Sequence, residues 1–214
     1  MKVLLLFALS LSVATGFCQQ SPIPQLLKRD TIFFEDFNVD NDTNWVDEED
    51  KNVSVKGGFF YHHSKEKGIT AQPFQVNLDT SKNFEFQFRA KAPEGKNDLG
   101  VFFWGRDIDI NSYQSNYWYF HKNGRSVIYN IPQPSGKGHY KSSWVRSQLN
   151  EDGFNIYTLR KWQHRYYVYV NNRLVKVINN ELPCYGSKFG LGAGSLKHRQ
   201  ALAVFDYISV SYIE

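Results

Sequence analysis

Cysteine is nearly missing from this chain, with two in 214 residues, Cys18 and Cys184. If Cys18 leaves with an N-terminal signal, Cys184 stands alone and no disulfide framework exists. A domain of this length must then hold itself together by burying a core. Methionine occurs once, as the initiator, and Ala and Leu are sparse beyond the N-terminus. No stretch carries the spacing of a long amphipathic helix, which excludes a helical bundle. After the first eighteen residues no apolar run is long enough to anchor the chain in a bilayer. Lys and Arg are not clustered, which argues against a nucleic-acid surface. Charge is uneven, with three Lys and Arg against nine Asp and Glu up to residue 50, and twenty-two against twelve afterwards. Familiar catalytic signatures are missing too. There is no Gly-x-Ser-x-Gly elbow, and Gly190-x-Gly192-x-Gly194 has no helix after it to make a dinucleotide loop. His62 and His63 are neighbours on an extended segment, point to opposite faces, and do not chelate together.

Aromatic residues, by contrast, make up 16% of the chain. They concentrate in short runs with β-branched residues, punctuated by Gly and Asn, the pattern of consecutive antiparallel strands. The richest stretch is Leu99 to Tyr129, with nine aromatics, more than one buried face requires. It reads as a strand over Leu99–Gly105, a polar loop over Arg106–Ser112, a strand over Tyr117–His121, and a return over Arg125–Tyr129. Asn123-Gly124 supplies positive φ for the turn between the last two. Phe84-Glu85-Phe86-Gln87-Phe88-Arg89 has the cleanest period-two alternation, with three Phe on one face and Glu85, Gln87 and Arg89 on the other. Gly57-Gly58 and Asn171-Asn172 read as further turns, and Phe74 to Leu78 as a further strand. About a dozen such strands predict one all-β domain, a sandwich or barrel.

The N-terminus reads as an export signal over residues 1–18: Lys2, the apolar run Val3 to Val13, then small residues before Cys18. Residues 19–30 read as a linker and 31–214 as the folded domain. The expected location is therefore secreted, extracellular or periplasmic, with no transmembrane segment once the signal is removed.

Several landmarks, taken in order, resemble the concanavalin A-like (laminin-G-like) jelly roll of the exported bacterial type. They are Phe34-Glu35-Asp36-Phe37 with Asn44-Trp45, Val55-Lys56-Gly57-Gly58-Phe59-Phe60, and Asn83-Phe84-Glu85-Phe86. Gly100 to Gly105, Asn116 to Phe120, Phe154 to Arg160 with Tyr169 to Asn172, and Gly190-Leu191 with Phe205 to Ile208 complete the set. The resemblance covers 31 to 214 and implies a two-sheet antiparallel β-sandwich with one concave sheet. Members of such families bind glycans, hydrolyse them, or have no assigned role, so function must be argued from the site.

Sugar binders place flat aromatics, which stack on pyranose C–H faces, beside amide, carboxylate and guanidinium groups. Trp104, Arg106, Tyr117, Trp118 and Tyr119 offer that mixture, with Glu85, Gln87 and Arg89 expected alongside. Alternation forbids Tyr117 and Trp118 from facing the same way. Hydrolysis needs a pair of carboxylates flanking the scissile bond. Hydrolases of this superfamily carry Glu-x-Asp-x-x-Glu on one strand, and this chain has no such run. Asp107-x-Asp109 comes nearest, in an expected loop and without a third acid. A structural calcium held by Glu35 or Asp36 near Asp206 is a further expectation, since first and last strands of such sandwiches often adjoin. The expected function is thus a secreted, non-catalytic carbohydrate-binding or extracellular recognition module whose partner is a glycan or an extracellular protein. The alternative is a glycoside hydrolase or modified-disaccharide-acting enzyme on the same fold.

Overall fold

The structure is a computed structural model. It describes residues 27–40, 45, 52–64, 68–91, 98–109, 112–121, 123–132, 139–140, 142–150, 153–179, 181–195 and 201–214. The expected signal peptide, residues 1–18, and most of the linker lie outside the described residues.

Fifteen strands and no helix are found among the described residues. In chain order these are β1 (Arg29–Glu35), β2 (Val53–Lys56), β3 (Phe59–Ser64), β4 (Gly68–Gln75), β5 (Phe84–Lys91), β6 (Asp98–Asp109) and β7 (Ser112–His121). They continue as β8 (Arg125–Ile131), β9 (His139–Tyr140), β10 (Val145–Arg146), β11 (Asn155–Trp162), β12 (Arg165–Val170), β13 (Arg173–Ile178), β14 (Lys188–Ser195) and β15 (Ala201–Ile213). An eight-stranded sheet runs β13-β12-β11-β5-β15-β3-β2, with β1 also on β15. A seven-stranded sheet runs β10-β8-β7-β6-β14-β4, with β9 also on β8. All pairings are antiparallel.

The all-β sandwich expected from the sequence is what the chain forms. On β5 the alternation works as read: Phe84, Phe86, Phe88 and Ala90 are fully enclosed between the sheets, and Glu85, Gln87 and Arg89 take the outer face. The same cluster takes Leu99, Val101 and Phe103 from β6, Trp118 and Phe120 from β7, and Phe189 and Leu191 from β14. Edge-to-face pairs such as Phe88–Trp118 and Phe86–Phe189 lock it, each adding about 0.5–1.5 kcal/mol beyond area burial. Gly57-Gly58 and Asn171-Asn172 turn with positive φ throughout, whereas in Asn123-Gly124 only Gly124 does, at 82°.

Three boundaries differ from the expectation. β1 opens at Arg29, inside the expected linker, because Arg29 pairs with Ile213 on the last strand. The expected loop after Arg106 is instead the continuation of β6 through Asp109, paired back onto Ser112. The strand expected over Phe74–Leu78 lies earlier, as β4, with Gln75 paired to Lys188.

Candidate functional site

The outer face of the seven-stranded sheet follows from its register. Across its middle, Tyr129 pairs with Tyr117, Tyr117 with Phe102, and Phe102 with Gly190. One step along, Val127 pairs with Tyr119, Tyr119 with Gly100, and Gly100 with Gly192. Phe102, Tyr117, Tyr119 and Val127 form a cluster separate from the main core, with Ala71 and Tyr129 packed against it. The glycines are its floor. A Cβ on Gly100 would stand 2.0 Å from the Tyr117 hydroxyl, and one on Gly190 would stand 1.9 Å from Phe102 Cε1. Both rings therefore lie down over bare backbone.

Accessibility rises toward the β8 edge. Phe102, Tyr117 and Tyr119 are 7%, 2% and 6% exposed, but Trp144, just before β10, is 40% exposed. Its ring meets Tyr119 edge-on at 5.9 Å, and the Arg125 guanidinium sits over it at 5.0 Å. Half-buried Tyr129 leans on Tyr117 at 5.2 Å. Sequence reading passed over Trp144, Tyr129 and Phe102. An isolated Trp in a polar segment, Lys141 to Arg146, was the available signal for the first.

The eight residues expected to form one carbohydrate site are not brought together. Trp104 is a correction. Alternation from Phe103 places it outward, but β6 carries a bulge in which Trp104 and Gly105 together oppose Ser115. Trp104 adopts φ of 55° there and turns into the sandwich, 1% exposed, against Phe84, Phe103 and Tyr166. Trp118 is likewise interior, touching Phe88 and Tyr157. Arg106 lies past the bulge, exposed, its Nε donating to Gln114 Oε1 at 2.8 Å. Tyr117 and Tyr119 do share the outer face, enclosed there as described.

Glu85, Gln87 and Arg89 belong to the other sheet, on its outer face, so the sandwich separates them from those tyrosines. Their polar atoms are used by neighbouring strands. Glu85, only 4% exposed, accepts from Arg29 Nε at 2.9 Å and Arg160 Nε at 2.8 Å. Gln87 Nε2 donates to Thr158 Oγ1 at 3.1 Å, and Gln87 Oε1 accepts from the Tyr207 hydroxyl at 2.8 Å. Arg89 forms an ion pair with Asp206.

That last pair also bears on the expected calcium ligands. With Asp206 facing Arg89, Glu35 is held by the Phe37 N–H at 2.8 Å and Trp45 Nε1–H at 2.9 Å. Asp36 accepts from the Asn38 backbone and side-chain nitrogens. Among the described residues no three His, Cys, Asp or Glu converge on a point that would hold a metal. Each of the three carboxylates thus engages a neighbouring group of its own loop or strand.

A cavity of about 580 Å³ opens at one end of the sandwich, between Ser81, Lys161, His164, Tyr166, Glu181 and Cys184. Lys161 Nζ donates to the Ser81 and Lys82 carbonyls at 3.1 and 3.2 Å, and burial pulls its pKa down. Burial pushes the Tyr166 hydroxyl up to about 12. The cavity lining carries charged groups of both signs, Lys161 and Glu181.

No family model and no curated protein matches the chain in sequence. Solved structures do match in fold. The catalytic domain of an endo-1,3-beta-glucanase (laminarinase) from Thermotoga petrophila aligns at TM-score 0.59 and 13% identity, over 87% of this chain and 98% of that one. The kappa-carrageenase of Zobellia galactanivorans aligns at 0.61 and 12%, over 91% and 98%. The CBM2 module of the evolved Dit of Lactobacillus casei phage J-1 aligns at 0.50 and 11%, over 87% and 97%. The fold is a concanavalin A-like jelly roll. At these identities the likeness is one of architecture.

Asp107 and Asp109 stand on β6, not in a loop, but the register shifts between them, so that they oppose the adjacent residues Tyr113 and Ser112. The outer-face row described above, from Ala71 to Tyr129, carries no carboxylate.

Proposed function

We propose that this protein is a non-catalytic carbohydrate-binding module, taking its glycan along the outer face of the seven-stranded sheet at the β8–β10 edge. The observation that carries this reading is Trp144, an exposed ring standing on a buried aromatic row and capped by Arg125. A pyranose C–H face stacks on such a ring, and guanidinium and phenol groups beside it bond the hydroxyls. The buried rings behind it hold Trp144 in place, so little order is lost on binding. The carbohydrate-active names of the aligned structures support a glycan as the partner, and an exported address, as expected from residues 1–18, suits an extracellular one.

A second reading is hydrolysis. It is favoured by the laminarinase and carrageenase alignments. Against it, the sequence carries no Glu-x-Asp-x-x-Glu run to supply the paired carboxyl groups.

Affinity electrophoresis of the full chain through gels containing laminarin or kappa-carrageenan tests both. Retardation that disappears in Trp144→Ala, with unchanged melting, supports binding. Release of reducing ends that stops in Asp109→Asn would instead establish the hydrolase. Full retention by Trp144→Ala would refute the proposed site.

A further inference from the structure

Resting on the glycan reading above, we infer that the glycan taken at this edge is anionic, its carboxylate or sulfate group seated between Arg125 and Arg146. The two arginines are direct register partners across the β8–β10 pair. Directly opposed residues in an antiparallel pair have Cβ atoms about 4.5–5.5 Å apart, and like charges there are destabilising. Among the described residues neither guanidinium has a carboxylate partner, the printed ion pairs of the molecule lying elsewhere. By register the nearest acid in the row is Asp98, on β6 opposite His121, with β7 between it and Arg125.

Both arginines are exposed, and both occupy the parity of the aromatic row. Arg125 follows the phase of Val127 and Tyr129, and Arg146 follows that of Trp144. The Arg125–Trp144 contact at 5.0 Å and the Trp144–Tyr119 contact at 5.9 Å fix that face. A sugar ring resting on Trp144 thus brings a substituent at its rim to a pair of planar donors. Guanidinium groups bind carboxylate and sulfate through paired N–H donors, which a neutral hydroxyl cannot match. An anion between them also removes the repulsion that the empty pair carries. The chain after residue 50 has the basic excess this requires at longer range.

The test uses native gels containing polygalacturonate, kappa-carrageenan or neutral laminarin, so that the uronate and sulfate arms are read separately. The wild-type chain is expected to be retarded by at least one anionic polymer more than by laminarin. Arg125→Gln and Arg146→Gln are each expected to weaken that retention about tenfold. The double variant Lys56→Gln/Arg165→Gln, which removes two positive charges from the other sheet, is expected to keep it. Without glycan, Arg146→Gln is expected to melt about 1–2 °C higher, the opposed charge having gone.

Retention by laminarin alone, insensitive to both arginine variants, would overturn the anionic inference and leave the glycan reading standing. Equal loss in Lys56→Gln/Arg165→Gln would also overturn it, as bulk attraction. Retention by none of the three polymers would overturn the inference and count against the glycan reading.

Discussion

The glycine floor under the aromatic row gives a quantitative test of how that face is built. In Gly100→Ala the new methyl would stand 2.0 Å from the Tyr117 hydroxyl and 2.4 Å from its Cζ. Ordinary carbon contacts need about 3.5 Å, so the ring must move by more than an ångström. It has nowhere to go, being 2% exposed and packed on Tyr129 at 5.2 Å. Overpacking of this kind costs about 1–3 kcal/mol, while replacing a strand glycine by alanine returns roughly 0.5–1 kcal/mol. The net expectation is a loss of up to about 2.5 kcal/mol, or up to roughly 10 °C in melting temperature for a domain of this size. Gly190→Ala is expected to lose more, since three Phe102 ring carbons lie within 2.6 Å of the added atom. Thermal and urea unfolding followed by tryptophan fluorescence would read both. The double variant Gly100→Ala/Tyr117→Leu separates ring collision from backbone effects. A coupling of about 1 kcal/mol or more between the two changes is expected. If Gly100→Ala alone melts at or above the wild-type temperature, the ring does not rest on Gly100 and the face has another construction.

Three further outcomes follow from other parts of the molecule. Glu85→Ala should cost about 3–5 kcal/mol by leaving Arg160 buried without its partner, whereas Arg29→Ala, removing a half-exposed partner, should cost under about 1 kcal/mol; denaturant midpoints will show whether that contrast holds. Trp104→Ala should lose about 3–5 kcal/mol as a core cavity while Trp144→Ala shifts melting by no more than a degree or two, which calorimetry of the two variants compares directly. Burial raises the hydroxyl pKa values of Tyr157, Tyr166 and Tyr207 above their usual 10.0. Their stabilising share is therefore whole below pH 10 and is lost as pH climbs through the folded values; tyrosinate absorbance should rise together with loss of near-ultraviolet circular dichroism, and ionisation of all tyrosines in a still-folded protein would contradict it.

The alternation of β5 and the turns at Gly57-Gly58 and Asn171-Asn172 were legible in the sequence because each is a local rule acting on adjacent residues. The site was less so, for three physical reasons. Glu85 and Phe102 are close in sequence, yet β5 and β6 fall in different sheets, and nothing local marks a crossing between layers. At Trp104 the backbone takes a conformation that a tryptophan rarely adopts, so period-two counting fails one residue too soon. Trp144 precedes a strand of only two residues, too short for any periodicity to show. Its importance comes from Tyr119 and Arg125, more than fifteen residues away.

The extra residue in β6 works like an inserted half-step. Upstream of it, odd positions supply the interior; past it, the pairing to β7 resumes one residue out of step, with Arg106 opposite Gln114. Loss of a single codon at position 104 or 105 would thus bring Arg106 back into the register that β6 keeps upstream. Length variation at this one spot gives such a scaffold a way to renew its rim chemistry without rebuilding its sheets.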